Sequence, residues 1–168
     1  MIAIACVDAK NGIGKNGQLL VSIPDDMKFF RETTKDSIVV MGRKTLFSFR
    51  NKEPLKNRIN VVFTNNAALK NEYTNFDNIY FVNDFNEAKK IFELYKDKKV
   101  FLIGGEKIYN DLIGECDTAL ITKLDKAFDA DSFFPDLEKN GFKIVSESNT
   151  NTFENINYKF ITYKKENV

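Results

Sequence analysis

The chain has 168 residues, a formal charge of +1 and 43% hydrophobic content with 16 Phe, enough to bury a core and without a charge bias toward nucleic acid or membrane. It has no His, which removes His-based triads and zinc centres, so no metal site is expected. Its two cysteines, Cys6 and Cys116, form no C-x-x-C pair and are too few for a disulfide framework.

The start, Met1-Ile2-Ala3-Ile4-Ala5-Cys6-Val7-Asp8, lacks a basic leader, and no apolar run reaches the length of a membrane span. A cytoplasmic protein forming one domain over 1–168 is expected. Apolar runs predict strands at Ile2–Val7, Ile38–Met41, Ile59–Thr64, Ile79–Val82, Val100–Ile103, Thr118–Leu124, Lys143–Ser148 and Lys159–Tyr163. Several are unbroken β-branched runs, as in central strands covered on both faces. Helices are predicted at Pro24–Thr34, Lys44–Phe49, Phe85–Tyr95 and Glu106–Ile113. The order implies an α/β fold: a central, mostly parallel eight-stranded sheet, helices on both faces and an antiparallel C-terminal strand. The polar stretch Asn65–Asn78 reads as a surface loop.

Three features carry chemistry. In Ser22-Ile23-Pro24-Asp25-Asp26, a hydroxyl cap candidate and a first-turn proline start a helix. Asp25, Lys28, Glu32 and Lys35 then form a solvated face, whereas Asp26 falls beside Phe29, Phe30 and Thr33. A partly desolvated carboxylate there suits proton exchange or an amidine-like group; the plainer reading is one more acid at a helix N-terminus.

The second feature is a pair of strand–glycine–helix junctions. Ile38–Met41 leads into Gly42-Arg43-Lys44-Thr45, and Val100–Ile103 leads into Gly104-Gly105. Glycine admits a ligand close to the backbone, and a helix start offers free N–H groups to an anion. One junction is a common turn, but two in so short a chain fit the separated phosphates of a dinucleotide. The third feature, Gly12-Ile13-Gly14-Lys15-Asn16-Gly17, matches G-x-G-x-x-G literally, but no helix opens after it. A mobile glycine-rich loop, either a lid or a plain flexible turn, fits better.

Together these residues resemble the dihydrofolate reductase family of the single-domain bacterial kind, from Ile2 to about Tyr163. The motifs in register are Gly12-Ile13-Gly14, Ile23-Pro24-x-Asp26-Met27-x-x-Phe30, Met41-Gly42-Arg43-Lys44-Thr45, Ile103-Gly104-Gly105 with Tyr109, and Asp131 with Phe134-Pro135. The resemblance implies reduction of dihydrofolate by NADPH, with Asp26 holding the pterin and promoting its protonation and Thr122 reaching the same carboxylate. Ile4, Ala5, Ile103 and Tyr109 would line the pterin pocket, Met27, Phe30, Phe49 and Leu55 the aminobenzoyl ring, and Arg58 would pair with the glutamate carboxylate. Gly42, Arg43, Lys44, Thr45, Thr64 and Asn65 would hold the adenosine half and its extra phosphate. Gly104, Gly105, Glu106, Lys107 and Ile108 would take the pyrophosphate, while Cys6, Ile13, Gly14 and Leu19 would flank the nicotinamide. Cys6 reads as a small buried hydrophobe without redox function. Antifolate binding and a monomeric state are further family expectations.

Two departures stand out. Leu20-Val21 replaces a common Pro-Trp, and Val21 cannot donate a hydrogen bond as an indole does. Glu106 occupies a position often filled by a small residue, where an acid is unfavourable beside a pyrophosphate unless it points away. Two other readings stay open: a related-fold NADPH-dependent pyrimidine reductase of riboflavin synthesis, which need not combine Asp26, Phe30 and Arg58, and a non-catalytic nucleotide-binding module, which would tolerate loss of Asp26.

Overall fold

The computed structural model describes residues 1–166; the last two positions of the domain expected over 1–168 lie outside the described residues. Strands β1 (Ile2–Val7), β2 (Gly12–Lys15) and β3 (Gln18–Leu19) precede helix α1 (Pro24–Thr34). Then come β4 (Ile38–Gly42), α2 (Arg43–Ser48), β5 (Ile59–Phe63), β6 (Ile79–Val82), α3 (Phe85–Leu94), β7 (Val100–Gly104) and α4 (Glu106–Leu112). The chain continues through β8 (Thr118–Leu124), β9 (Ser132–Phe133), β10 (Phe142–Glu147), β11 (Asn151–Phe153) and β12 (Ile156–Lys165).

The main sheet runs β10-β12-β8-β1-β7-β4-β5-β6, with β11 added as a ninth strand on β12. All pairs from β8 to β6 are parallel, while β12 is antiparallel to β8, β10 and β11. The antiparallel region is thus a three-strand addition rather than one terminal strand. Successive side chains on a strand point to opposite faces. On β4, Ile38 and Val40 join Ala88, Ile108 and Leu112 of α3 and α4, whereas Val39 and Met41 join Leu46 of α2 with Phe29 and Phe30 of α1. Helices therefore cover both faces, and the continuous apolar run of β4 is the signature of that double burial.

Three local expectations change. Ser22 is exposed and caps nothing: Ile23 holds the N-cap position without a side-chain bond, and Pro24 starts the helix. The stretch 65–78 contains a 3-10 segment, Ala67–Tyr73, anchored by buried Leu69 and by Tyr73, whose hydroxyl donates to the Lys52 carbonyl at 2.8 Å. The glycine-rich segment is a hairpin, not an irregular loop. β2 pairs with β3 across Asn16-Gly17, both at positive φ (51° and 77°), as a two-residue turn requires, and β9 completes a three-stranded sheet. Among the described residues, no helix is long and apolar enough to cross a membrane.

Candidate active site

Helix α1 brings Asp26 against the end of β8. The Thr122 hydroxyl, 2% exposed, donates to Asp26 Oδ1 at 2.6 Å across 96 residues of sequence. Asp26, Phe29, Phe30 and Thr33 are all half-buried, while Asp25, Lys28, Glu32 and Lys35 are exposed, so the helix divides as its spacing predicts. Burial raises the Asp26 pKa above the ordinary carboxylate range, and the Thr122 hydrogen bond opposes this without cancelling it. Cys6 lies opposite Thr122 in the β1–β8 register. Burial, then Asp26 and Asp8, push its thiol far up, so it stays protonated and acts as a small hydrophobe. Cys116 is likewise buried, and its thiol is pushed up to about 11 chiefly by desolvation.

Around Asp26, Ile4 and Ile103 pack in the α1/α2 face of the core with Phe30, Phe49 and Leu55, but Ala5 packs on the opposite face. The carbonyl of Ile4 already accepts from the buried Tyr109 hydroxyl at 2.7 Å, so Tyr109 acts through the middle of β1. Met27, beside Asp26 on α1, is 38% exposed, and Leu19 on the hairpin is 61% exposed. Large apolar side chains left in water are available to a ligand. Val21, where an indole was the family expectation, packs in an apolar cluster with Cys6, Phe128 and Phe160, which offers no nitrogen donor.

Arg58 lies beyond the C-terminal end of α1. Its Nε donates to Thr34 Oγ1 at 3.0 Å, and its other nitrogens donate to the carbonyls of Lys56 and Arg31 at 2.7 and 3.1 Å. These bonds leave two of five guanidinium donors free, and no ion pair among the described residues involves Arg58. Desolvation, then neighbouring Arg31, lower its pKa; Asp36 offsets this in part. A carboxylate ligand would complete the fork.

The two glycine junctions share one corner because β4 and β7 are neighbours in the sheet. A Cβ on Gly105 would lie 3.4 Å from Thr45 Oγ1, one on Gly104 3.3 Å from the Tyr109 ring, and one on Gly42 3.1 Å from Ile108. Gly104 also has φ +127°, a conformation other residues rarely adopt. The three glycines therefore let Thr45, Tyr109 and Ile108 close in on the backbone of the corner, with Gly104 buried and Gly42 and Gly105 half-buried. Arg43 and Lys44 are exposed beside it, and Thr64 and exposed Asn65 follow β5, next in the sheet. Arg43 rests over the Phe47 ring at 5.9 Å, while Lys107 is turned to Asp111. Ile108 is buried against Gly42 rather than available to a ligand. Glu106 points away from the corner: its carboxylate accepts the Phe133 N–H at 3.1 Å.

The β2–β3 hairpin, with half-buried Ile13, buried Gly14 and exposed Leu19, is moored to β9. Asp131 accepts the Asn16 N–H at 3.0 Å and donates its own N–H to the Gly14 carbonyl at 2.9 Å. Buried Phe134 packs edge-on against Tyr109 with centroids 4.7 Å apart. Sequence reading missed Asp8, which is 1% exposed between the hairpin and the segment after β8; its signal was an acid closing an apolar strand directly before a glycine-containing turn.

Two strand–glycine–helix junctions at the carboxyl ends of neighbouring parallel strands, together with the desolvated carboxylate of Asp26 on α1, are the arrangement of an α/β enzyme that holds a small substrate against a nucleotide. Residues 1–165 match the family model described as dihydrofolate reductase. The chain is 31% identical to dihydrofolate reductase of Bacillus subtilis over 98% of its own length and 94% of that protein's. It is 32% identical to the Sus scrofa enzyme (98% and 97% covered) and 33% to that of Heliothis virescens (98% and 96%). The chain belongs to the dihydrofolate reductase family, whose members are oxidoreductases that use a nicotinamide cofactor.

Proposed function

We propose that this chain reduces dihydrofolate to tetrahydrofolate with NADPH. The observation that carries the reading is Asp26: a carboxylate on the apolar half of α1, bonded to Thr122 and held above its ordinary pKa. Asp26 receives the pterin's amino group and ring nitrogen as paired donors, and Thr122 fixes the carboxylate plane. Its elevated pKa makes it a better proton reservoir near neutral pH than a solvated carboxylate, so it promotes protonation beside the carbon that accepts hydride. Ile4 and Ile103 form the pterin wall, with Ala5 contributing backbone and Tyr109 supporting the wall through the Ile4 carbonyl; Met27, Phe30, Phe49 and Leu55 take the aminobenzoyl ring; and the free donors of Arg58 take the glutamate carboxylate.

The corner fits NADPH, since glycine backbone, Thr45 and unpaired cations are what phosphates need. Gly42, Arg43, Lys44, Thr45, Thr64 and Asn65 hold the adenosine half, and Gly104, Gly105 and the start of α4 hold the pyrophosphate. Cys6, Ile13, Gly14 and Leu19 bound the nicotinamide and exclude water from it. When bound, NADPH supplies the hydride; the protein's share is orientation, dryness and one tuned proton site. One domain over 1–168, a cytoplasmic monomer and antifolate inhibition complete the reading and rest on the family resemblance.

Steady-state NADPH oxidation with dihydrofolate tests it. The wild-type chain turns over, and Asp26→Asn loses on the order of 100-fold or more in turnover near neutral pH. No turnover by the wild type sinks the assignment; an unimpaired Asn variant sinks the role of Asp26.

A further inference from the structure

The chemistry above leaves one buried carboxylate unused. Asp8 closes β1, and its Oδ1 accepts the N–H groups of Lys10 and Gly12 at 2.8 and 2.7 Å. Its Oδ2 accepts the N–H of Phe128 at 2.9 Å, from the segment between β8 and β9. The same seam is closed by Ala9 N–H to the Lys126 carbonyl at 3.1 Å and by Phe134 N–H to the Asn11 carbonyl at 2.7 Å. Half-buried Lys123 donates to Asn11 Oδ1 at 3.1 Å. Burial by itself would raise the Asp8 pKa, but the three N–H donors and the nearby Lys123 charge outweigh it and hold the group below the usual carboxylate range. Asp8 is thus an ionised, fully engaged hub, not a proton donor.

What the hub joins gives it a role. Gly12 begins β2, and Phe128 packs in the apolar cluster with Cys6 and Val21. There is no slack between them: a Cβ on Gly12 would stand 2.6 Å from Ala130 Cβ and 2.8 Å from Asp8 Oδ2. We propose that Asp8 is a positioning residue for the reduction: its carboxylate seats Gly12 against Phe128 and so sets how the β2–β3 hairpin, with Ile13, Gly14 and Leu19, lies over the site. This rests on the reading of that hairpin as the wall beside the nicotinamide.

The chemistry of Asn makes the test selective. Both carboxylate oxygens accept from N–H groups, so an amide in either orientation sets an NH2 against a backbone donor. In Asp8→Asn the oxygen keeps Lys10 and Gly12, two bonds against one, and Phe128 is released. Amide hydrogen exchange of the ligand-free protein then shows Phe128 exchanging about tenfold faster or more, with Lys10 and Gly12 still protected. In single-turnover NADPH oxidation, well below the melting temperature, the hydride step slows by about tenfold while the KM for dihydrofolate stays within about twofold. Gly12→Ala strains the hub from its other side without changing charge and slows the same step.

A wild-type hydride rate in both folded variants overturns the proposal, as does unchanged Phe128 exchange in Asp8→Asn. Absence of NADPH oxidation by the wild-type chain overturns the reductase reading instead, and the exchange comparison then decides by itself whether Asp8 seats the hairpin.

Discussion

The pterin side and the cofactor corner of the site are built in opposite ways. Around Asp26 the groups come from distant parts of the chain and already satisfy one another: Thr122 bonds the carboxylate, Tyr109 holds the Ile4 carbonyl, and Thr34 steadies Arg58. At the cofactor corner the parts are local in sequence, a strand running through glycine into a helix, and the cations beside them are exposed. The first region is preorganised around one tuned charge. The second is a pair of glycine turns packed closely against Thr45, Tyr109 and Ile108, with exposed Arg43 and Lys44 beside them. Changes on the pterin side should therefore act on chemistry and substrate, and changes at the corner on the cofactor.

The largest expected effect that separates the two is at Arg58. Arg58→Leu removes the fork that awaits a carboxylate and weakens dihydrofolate binding by roughly 10- to 100-fold, the worth of a charge-assisted pair, with NADPH affinity nearly unchanged. Equilibrium titration with each ligand checks it, and Arg58→Lys should rescue little because an ammonium cannot reproduce the planar fork. Loss confined to NADPH would reverse the orientation assigned to the site.

Next comes Gly104→Ala, which places a Cβ against Tyr109 at a φ of +127°. Strain of this kind costs on the order of 1–3 kcal/mol of stability, and NADPH affinity should fall with it by about tenfold. Denaturant unfolding and cofactor titration read the two effects. A variant that weakens dihydrofolate instead would erase the distinction between the regions.

A smaller effect tests the tuned charge through stability. Because the folded state raises the Asp26 pKa, folding binds a proton there and opposes ionisation. The stability contribution of this group is full below its unfolded pKa and declines as pH rises through its folded one. Asp26→Asn should therefore be the more stable protein near neutral pH, by on the order of 1 kcal/mol, with the gain fading in acid. Thermal melts across pH decide it; a wild type that gains on the variant as pH rises would contradict the assigned direction.

The smallest effect is at Glu106→Gln. The side chain already points to Phe133 and keeps an acceptor oxygen after substitution, so only its charge near the corner is lost. NADPH binding should tighten by about two- to threefold at low salt, less at high salt.

The same contrast explains what was readable from sequence. Glycine junctions, apolar runs and the Asp26–Phe30 spacing are local, so the four helices and eight of the nine strands of the main sheet lie within a few residues of their expected positions, while the short, polar β11 was not expected. The single-acid face of α1 was legible because helical periodicity alone sorts Asp25 from Asp26. Contacts across the sheet were not: Asp8 with Phe128 spans 120 residues and Glu106 with Phe133 spans 27, and no periodicity encodes such pairings. The hairpin was missed although Asn16-Gly17 is a strong two-residue turn signal, because its strands are too short and glycine-rich to show alternation. Ser22 failed as a cap because the helix begins one residue later than its hydroxyl could serve.

The most direct test is the pH dependence of the hydride step in single-turnover NADPH oxidation with dihydrofolate, from about pH 5 to about pH 9. The expected result is a rate that falls with rising pH through one ionisation above the ordinary carboxylate range, and that ionisation disappears in Asp26→Asn. A flat wild-type profile, or the same ionisation persisting in the Asn variant, would contradict Asp26 as the tuned proton site.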